Sequence, residues 1–572
     1  MASSVITTNP ARCRDCYRCV RTCSVKAIRV QDGQAQVVPE LCITCGDCVR
    51  ACPQGAKTVR DDRPEILQAL KDGRKVVASV APSAPAYFGM HVFSQIEDVL
   101  RSLGFAAADE TAFGAEMVGQ AHREYVERYQ EAWPVITSSC PVVVSLIEKY
   151  HPDLLPHLAP IVSPMIAHGR WMRATYGADA YVVFIGPCIA KKGEIKDLPV
   201  EGIVDAALTF KELEEWMAEE GAGLPQIDVK QDIVPSATAR LFPVEGGLVG
   251  TADMNTDMLT SHVVVASGLE ACADVLNGIR SNKLEACLVE LMACEGGCIH
   301  GPVMDDLEGG TYLARQRIIE YATRRQPKPL PRRNEWPSLA RSYNDLHVPL
   351  PEFSEEQIQE VLHRVEKYSP DDELNCGACG YPTCREKAIA TLRNMAEATM
   401  CIPYMRRRSE SLRQVVMDVT PNAILIVDAN LDIQDMSPSA EEMFNCRFSA
   451  VVGKPLQSIM PVVTDFERVR DTGKPIMGDT VQIRHDLIVE ETMVRVPDQK
   501  LVVGILRDVT DREEQLDHFS HIRTETLQRT QEVINKQMRV AHEIAQLLGE
   551  TTAETKMALS RLAQLLEEGN GK

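Results

Sequence analysis

The chain of 572 residues has no uninterrupted apolar run near the length of a membrane-spanning helix, and residues 1–10 show no basic stretch followed by an apolar one. It is also short of positive charge. Its 61 Lys and Arg face 81 Asp and Glu, and the net charge of −20 repels a phosphate backbone and anionic lipid alike. Nucleic acid and membrane are thereby set aside as partners, and the expected compartment is the cytoplasm. The composition, 45% hydrophobic and 25% charged, is that of an ordinary soluble protein and excludes a largely disordered or collagen-like chain. The length calls for several folded units.

Cysteine is the residue in excess. Nineteen is a high count for a reducing compartment, where clustered thiols mean metal or redox chemistry rather than disulfides. Eight fall between Cys13 and Cys52, four between Cys376 and Cys401, and Cys140, Cys188, Cys294 and Cys298 stand in distinctive contexts. Cys272, Cys287 and Cys446 are left over; the first two lie on helical patterns and read as core residues.

The pattern predicts a multidomain α+β and α/β protein. Residues 1–62 form a turn-rich cysteine unit too small for much core, so metal would hold it together. Residues 63–322 form the largest domain, in which apolar runs at 75–80 and 181–185 alternate with helical stretches such as Phe210–Glu219. Residues 323–360 are a linker, and its stretch 324–351, rich in Pro, Arg and Asn, reads as a connector or a strap over the surface. A small helical cysteine unit occupies 361–407. Residues 408–511 read as an α+β module, with strands at Ala423–Val427, 431–434, 481–484 and 501–506 and a helix at 440–444. In 512–572 a helical hairpin or coiled coil is expected, with Leu527, Val533, Met538, Ile544 and Leu548 as seam positions. Its break falls at residues 549–552, and Thr552 would cap a second helix.

The first two cysteine runs are Cys13-x-x-Cys16-x-x-Cys19-x-x-x-Cys23 and Cys42-x-x-Cys45-x-x-Cys48-x-x-x-Cys52-Pro53. A 4Fe-4S cube needs one thiolate per iron, and a tight loop reaches only three corners. Zinc knuckles are the plainer alternative, but they do not need this regular spacing. The runs resemble bacterial two-cluster ferredoxin domains, with Ser24 where a proline is usual. The resemblance implies that each run lends its last cysteine to the other cube: Cys13, Cys16 and Cys19 with Cys52, and Cys42, Cys45 and Cys48 with Cys23. The later run, Cys376-Gly-Ala-Cys379-Gly-Tyr-Pro-Thr-Cys384 with Cys401, resembles a small 4Fe-4S domain whose glycines let backbone N–H groups approach the sulfurs. A zinc-stapled helix pair is the alternative there.

In the largest domain, Thr137-Ser-Ser-Cys140-Pro141, Gly186-Pro-Cys188-Ile-Ala-Lys191-Lys192 and Glu290-Leu-Met-Ala-Cys294-Glu-Gly-Gly-Cys298 occur in order. Cys140 precedes a proline and an apolar stretch, which places it at a helix N-terminus where the dipole favours thiolate. Glu295-Gly-Gly is a flexible span between Cys294 and Cys298, and Cys188 stands at a strand end. Together these motifs resemble the three signatures of FeFe hydrogenases. The resemblance implies an H-cluster, a 4Fe-4S cube held by Cys140, Cys188, Cys294 and Cys298. By the same resemblance, Cys298 would also bridge to a two-iron unit bearing CO and cyanide, where dihydrogen is split. It further implies that Lys191 donates to one cyanide, that Ala81-Pro82-Ser83 cradles the other, and that Met292 lies with the cofactor-binding residues. Lys192 reads as a solvated charge.

Departures from the family pattern matter as much. Ser139 stands where efficient members carry a proton-relaying cysteine, and a hydroxyl is a far poorer acid than a thiol. Glu116 is out of register for a relay carboxylate. Glu194 matches one, but a lone carboxylate is no path. Gly186 replaces a methionine and is expected to remove bulk beside the two-iron unit.

Residues 418–511 resemble a PAS domain ending in Asp508-Val-Thr510. Asn445-Cys446-Arg-Phe448 is out of register for a flavin-binding photoreceptor cysteine, and His542 reads as a helix-surface residue rather than a phosphoacceptor. The whole resembles the sensory FeFe hydrogenases. That implies slow chemistry on H2 and protons, three accessory 4Fe-4S clusters, a homodimer through PAS and tail, and a signalling partner such as a protein phosphatase or kinase. The alternatives are a metabolic hydrogenase passing electrons to ferredoxin, and a scaffold that has lost the two-iron unit.

Overall fold

The computed structural model describes residues 4–225, 237–254, 262–304, 309–323, 335–496, 500–548 and 553–568. The chain divides into two units, Met1–Met405 and Arg406–Lys572.

In the first unit the apolar runs form central strands. Val76–Val80 and Tyr181–Gly186 are buried at every position and pair in parallel, flanked by Ala107–Glu110 and Ala206–Thr209. A parallel sheet covered on both faces needs apolar side chains throughout, which is why these runs do not alternate. Helices Pro164–Tyr176 and Phe210–Glu219 pack on this sheet. The second begins with a reciprocal cap: Thr209 Oγ1 accepts from Glu212 N, and the Glu212 carboxylate accepts from Thr209 N. A second parallel sheet orders Val263–Ser267, Leu288–Met292 and Val135–Ile136. Cys287 is not on a helix, because the run it opens is the middle strand of this sheet; its thiol donates to His262 O at 2.8 Å. Cys272 is helical and fully buried.

Residues 81–83, 137–140, 187–188 and 293–298 all follow the carboxyl ends of parallel strands, the edge at which such sheets open a crevice. The N-terminal cysteine unit is tied by two antiparallel ribbons, Ile6–Thr8 with Lys57–Val59 and Ile28–Gln31 with Gln34–Val37. From residue 335 the connector lies along the largest domain as a strap. Val162 N donates to Leu339 O, Arg341 N to Pro160 O and Leu346 N to Glu148 O. The strap leads to the packed helix pair Glu355–His363 and Cys384–Leu392.

The second unit holds a five-stranded antiparallel sheet in the order Ile433–Met436, Ala423–Val427, Leu501–Asp508, Leu487–Val496, Ile476–Arg484. The strand expected at 431–434 starts later because Asp428 Oδ1 gathers the amides of Asn430 and Asp432, and Leu431 sits at φ 67°, extending the turn. Gly504 is required: a Cβ there would stand 2.3 Å from the Phe466 ring, which packs on the strand. Two helices follow, Thr510–Leu548 and Ala553–Glu568; residues 549–552, with the expected break and the Thr552 cap, lie outside the described residues. On the first, Leu527, Val533 and Ile544 are exposed and so is His542. No helix among the described residues is long and apolar enough to cross a membrane.

Candidate metal centre

The strand-end loops of the largest domain meet around one cavity. Cys140, Cys188 and Cys298 line it, and Cys294 lies within electrostatic reach of all three. Cys140 caps Pro141–Tyr150, with Pro141 at the first helical position as expected. Burial pushes the Cys188 thiol up to about 11 and raises Cys294 and Cys298 well above the usual range, and the neighbouring thiols push each further the same way. Thiolates gathered this closely repel one another unless a positive centre compensates them, so this donor set fits an iron-sulfur cluster. Among the described residues no three His, Cys, Asp or Glu stand close enough to hold a single metal ion; the thiols surround the cavity instead.

The polar wall agrees with a bound polar group. Ser83 and Ser139 line the cavity, and their buried hydroxyls have no hydrogen-bond partner among the described residues. Each orphaned hydroxyl costs about 1–3 kcal/mol when nothing meets it. Ala81, Pro82, Met292 and Lys191 also line the cavity. Lys191 is 8% exposed, and its Nζ donates to Glu194 Oε2 at 2.7 Å. Burial alone would raise the Glu194 carboxyl, but the charges of Lys191 and Arg341 outweigh it and hold it below the usual range. A carboxylate locked between two cations is a poor proton acceptor. Glu194 therefore anchors Lys191, and the relay match drawn from sequence does not describe its surroundings.

Two further expectations are corrected. Lys192 is not solvated: it is fully buried, donating to Ala207 O at 2.6 Å and paired with Glu212 at 3.0 Å, because the helix Lys191–Glu194 turns it under the sheet edge. Gly186 does not simply leave room. A Cβ there would stand 2.5 Å from the Phe184 ring, and Phe184 itself lines the cavity.

Sequence reasoning passed over Glu290. It lines the cavity at 3% exposure, accepts from Val249 N at 3.0 Å, and burial raises it to about 7. Its signal was a lone acid in the apolar strand Leu288–Met292. Arg341 was passed over too, since its strap lies far along the chain. Glu116 is half-buried outside the cavity wall.

The other cysteines gather as follows. Cys19 lies in the electrostatic field of Cys13, Cys16 and Cys52. Cys23, Cys42, Cys45 and Cys48 line one pocket. Backbone amides of Ala27, Thr44 and Ala56 donate to the sulfurs of Cys23, Cys42 and Cys52 at 3.2–3.3 Å. Lys57, 5% exposed and bonded to Thr8 Oγ1 and Ala35 O, lends positive charge to Cys19, Cys48 and Cys52. The second run abuts the cavity loops: a Cβ on Gly46 would meet Pro302 at 2.6 Å and Ile189 at 2.8 Å. Cys376, Cys379, Cys384 and Cys401 line a pocket of their own. Arg21 Nη1 donates to Ala378 O at 3.0 Å, so this third group lies against the first run.

Comparison with known families finds four matches along the chain. Residues 74–302 match the iron only hydrogenase large subunit, C-terminal domain; 5–53 a 4Fe-4S dicluster domain; 372–403 an Fe-S cluster family; and 417–514 the PAS fold. The chain is similar to the periplasmic [Fe] hydrogenase large subunit of Nitratidesulfovibrio vulgaris, 32% identical over 51% of this chain and 85% of that one. It is similar to iron hydrogenase 1 of Clostridium pasteurianum at 25% identity, over 40% of this chain and 50% of that one. Protein NAR1 of Arabidopsis thaliana is 25% identical over 41% of this chain and 66% of that one.

Proposed function

Because the chain belongs to the iron-only hydrogenase large-subunit family, we propose that its cavity seats an H-cluster and that the protein is a slow hydrogenase acting as a hydrogen sensor. The carrying observation is the convergence of thiols from separate strand ends, with Lys191, on one cavity whose wall leaves two hydroxyls unsatisfied. Cys140, Cys188, Cys294 and Cys298 would hold the cubane, Cys298 also the two-iron unit, with Lys191 and residues 81–83 toward its cyanides. When bound, the H-cluster supplies the heterolytic splitting of H2 and the first store for its electrons.

The chain's own residues set the rate. Ser139 offers a hydroxyl where proton transfer is needed, and Glu194 is tied to Lys191 and Arg341. Slow turnover suits a site that reports on hydrogen rather than consuming it. Three accessory 4Fe-4S clusters would sit in the remaining quartets, with Cys42, Cys45, Cys48 and Cys23 nearest the cavity. The PAS fold and the long helix would then pass the redox state to a signalling partner such as a phosphatase or kinase, in a cytoplasmic homodimer.

Similarity to Protein NAR1 supports a second reading, a cluster-binding protein without hydrogen chemistry. Infrared spectroscopy of the chain after maturation with the two-iron unit separates them. CO and cyanide bands that respond to H2 are expected, and their absence from fully iron-loaded protein defeats the hydrogenase reading. A metabolic hydrogenase is distinguished by rapid hydrogen evolution with a strong reductant.

A further inference from the structure

Arg341 reaches the largest domain from the segment that the sequence marks as a connector or a surface strap. Pairing with residues 160–162 holds the strap backbone, so the side chain is delivered inward, 4% exposed, with its guanidinium 4.9 Å from the centre of the Tyr343 ring. Nη1 donates to Glu194 Oε1 at 3.0 Å, and Nη2 to Asp197 Oδ2 at 2.8 Å. Glu194 gives its other oxygen to Lys191 Nζ, and Lys191 lines the cavity beside Cys188 and Cys298. One buried carboxylate thus bridges the cavity cation and the strap cation, one oxygen to each.

This division constrains direction as well as charge. Without Arg341 the rear oxygen of Glu194 would lose its charged partner, leaving both oxygens open to Lys191 in a dry site. The planar guanidinium fork prevents this by saturating the rear oxygen at a fixed angle. Asp197 plays a lesser part: its side chain is 46% exposed, and water screens its pull.

We propose that Arg341 is a positioning residue, which holds Glu194 from behind so that Lys191 faces the cavity, and which in return ties the strap to the state of that cavity. The aiming half rests on the H-cluster reading; the tie stands on this chain's residues alone. Past the strap the chain enters Glu355–His363, the helix packed on Cys384–Leu392 of the third cysteine group. A change in the grip on Lys191 therefore has a covalent route to that unit.

Two readouts on the full chain test this. Hydrogen exchange of the iron-sulfur protein lacking the two-iron unit is followed at residues 339–346. Glu194→Gln is expected to speed exchange there roughly tenfold, as is Arg341→Gln, while Asp197→Asn has a smaller effect. Unchanged exchange in Glu194→Gln overturns the tie, whatever the cavity holds. After maturation, Arg341→Gln is expected to shift or split a cyanide stretching band, Arg341→Lys to restore much of it, and Asp197→Asn to leave it as in the parent. Cyanide bands of Arg341→Gln superimposable on the parent's, with only the melting temperature lowered, overturn the aiming. A parent lacking cyanide bands fails the H-cluster reading and takes the aiming half with it, while exchange still decides the tie.

Discussion

At the scale of single residues, the proposed slow proton handling rests on a hydroxyl at Ser139 and on the tied carboxylate of Glu194. Ser139 lines the cavity with its Oγ buried and unpartnered among the described residues, so nothing but the chemistry of a hydroxyl limits it. A thiol ionises near pH 8.5, and a serine hydroxyl effectively does not in water. Ser139→Cys is therefore expected to raise hydrogen evolution at least about tenfold, the lower edge of what a positioned acid contributes. Gas measurement at matched metal content checks it, and an equal or lower rate shows that proton supply is not limited at this position. Lys192 carries a different lesson. Beside Lys191 in sequence it looks like half of a solvated pair, yet its Nζ is fully buried among Ala207 O, Glu212 and Asp62, because successive helical positions diverge by about 100° and give the two ammonium groups different partners.

At the scale of elements, strand Leu487–Val496 shows a local rule broken. Leu487, Val489, Glu491 and Met493 face the core in alternation, and a carboxyl occupies one of four apolar places. Burial, then the neighbouring charge and hydrogen bond of Asp465 and the charge of Asp479, together raise Glu491 to about 7. The Asp465 side is partly relieved by Arg468 at 3.6 Å, and Asp479 faces Glu491 across the strand pair. The folded carboxyl holds its proton above the pH at which an unfolded one loses it. Stability of the second unit is thus highest below about pH 4.5 as far as this group is concerned, and falls as pH rises toward 7. Glu491→Gln is expected to flatten that dependence in melts of the full chain between pH 5 and 8; an unaltered slope shows that the carboxyl is ionised in the fold.

At the scale of the molecule, the cysteine groups of the first unit form a contiguous series. The third group touches the first run through Arg21 and Ala378, and the loop of the second run abuts Ile189 and Pro302 beside the cavity. If the quartets hold the proposed clusters, this contiguity would let electrons spread from one to the next. If the redox state reaches the output, hydrogen gas should change exchange protection of the tail helices in the matured chain. Phe519, Val533 and Val540, exposed on Thr510–Leu548, are where a partner or second copy would bury apolar surface. Identical protection with and without H2 leaves no transmitted change and defeats the sensor reading.

The cysteine spacings, the three ordered motifs around Cys140, Cys188 and Cys298, and the continuous apolar strands were legible in the sequence alone, because ligand spacing and burial periodicity are local properties of the chain. Strand Ala423–Val427 and helix Phe210–Glu219 were legible to the residue for the same reason. What folding alone decided is whatever depends on partners distant in sequence. Arg341 meets Glu194 across 147 positions, and Lys192 is buried against Asp62, 130 positions earlier in the chain. Charge and volume are balanced in three dimensions, and no periodicity along the chain records which side chain will supply the balance.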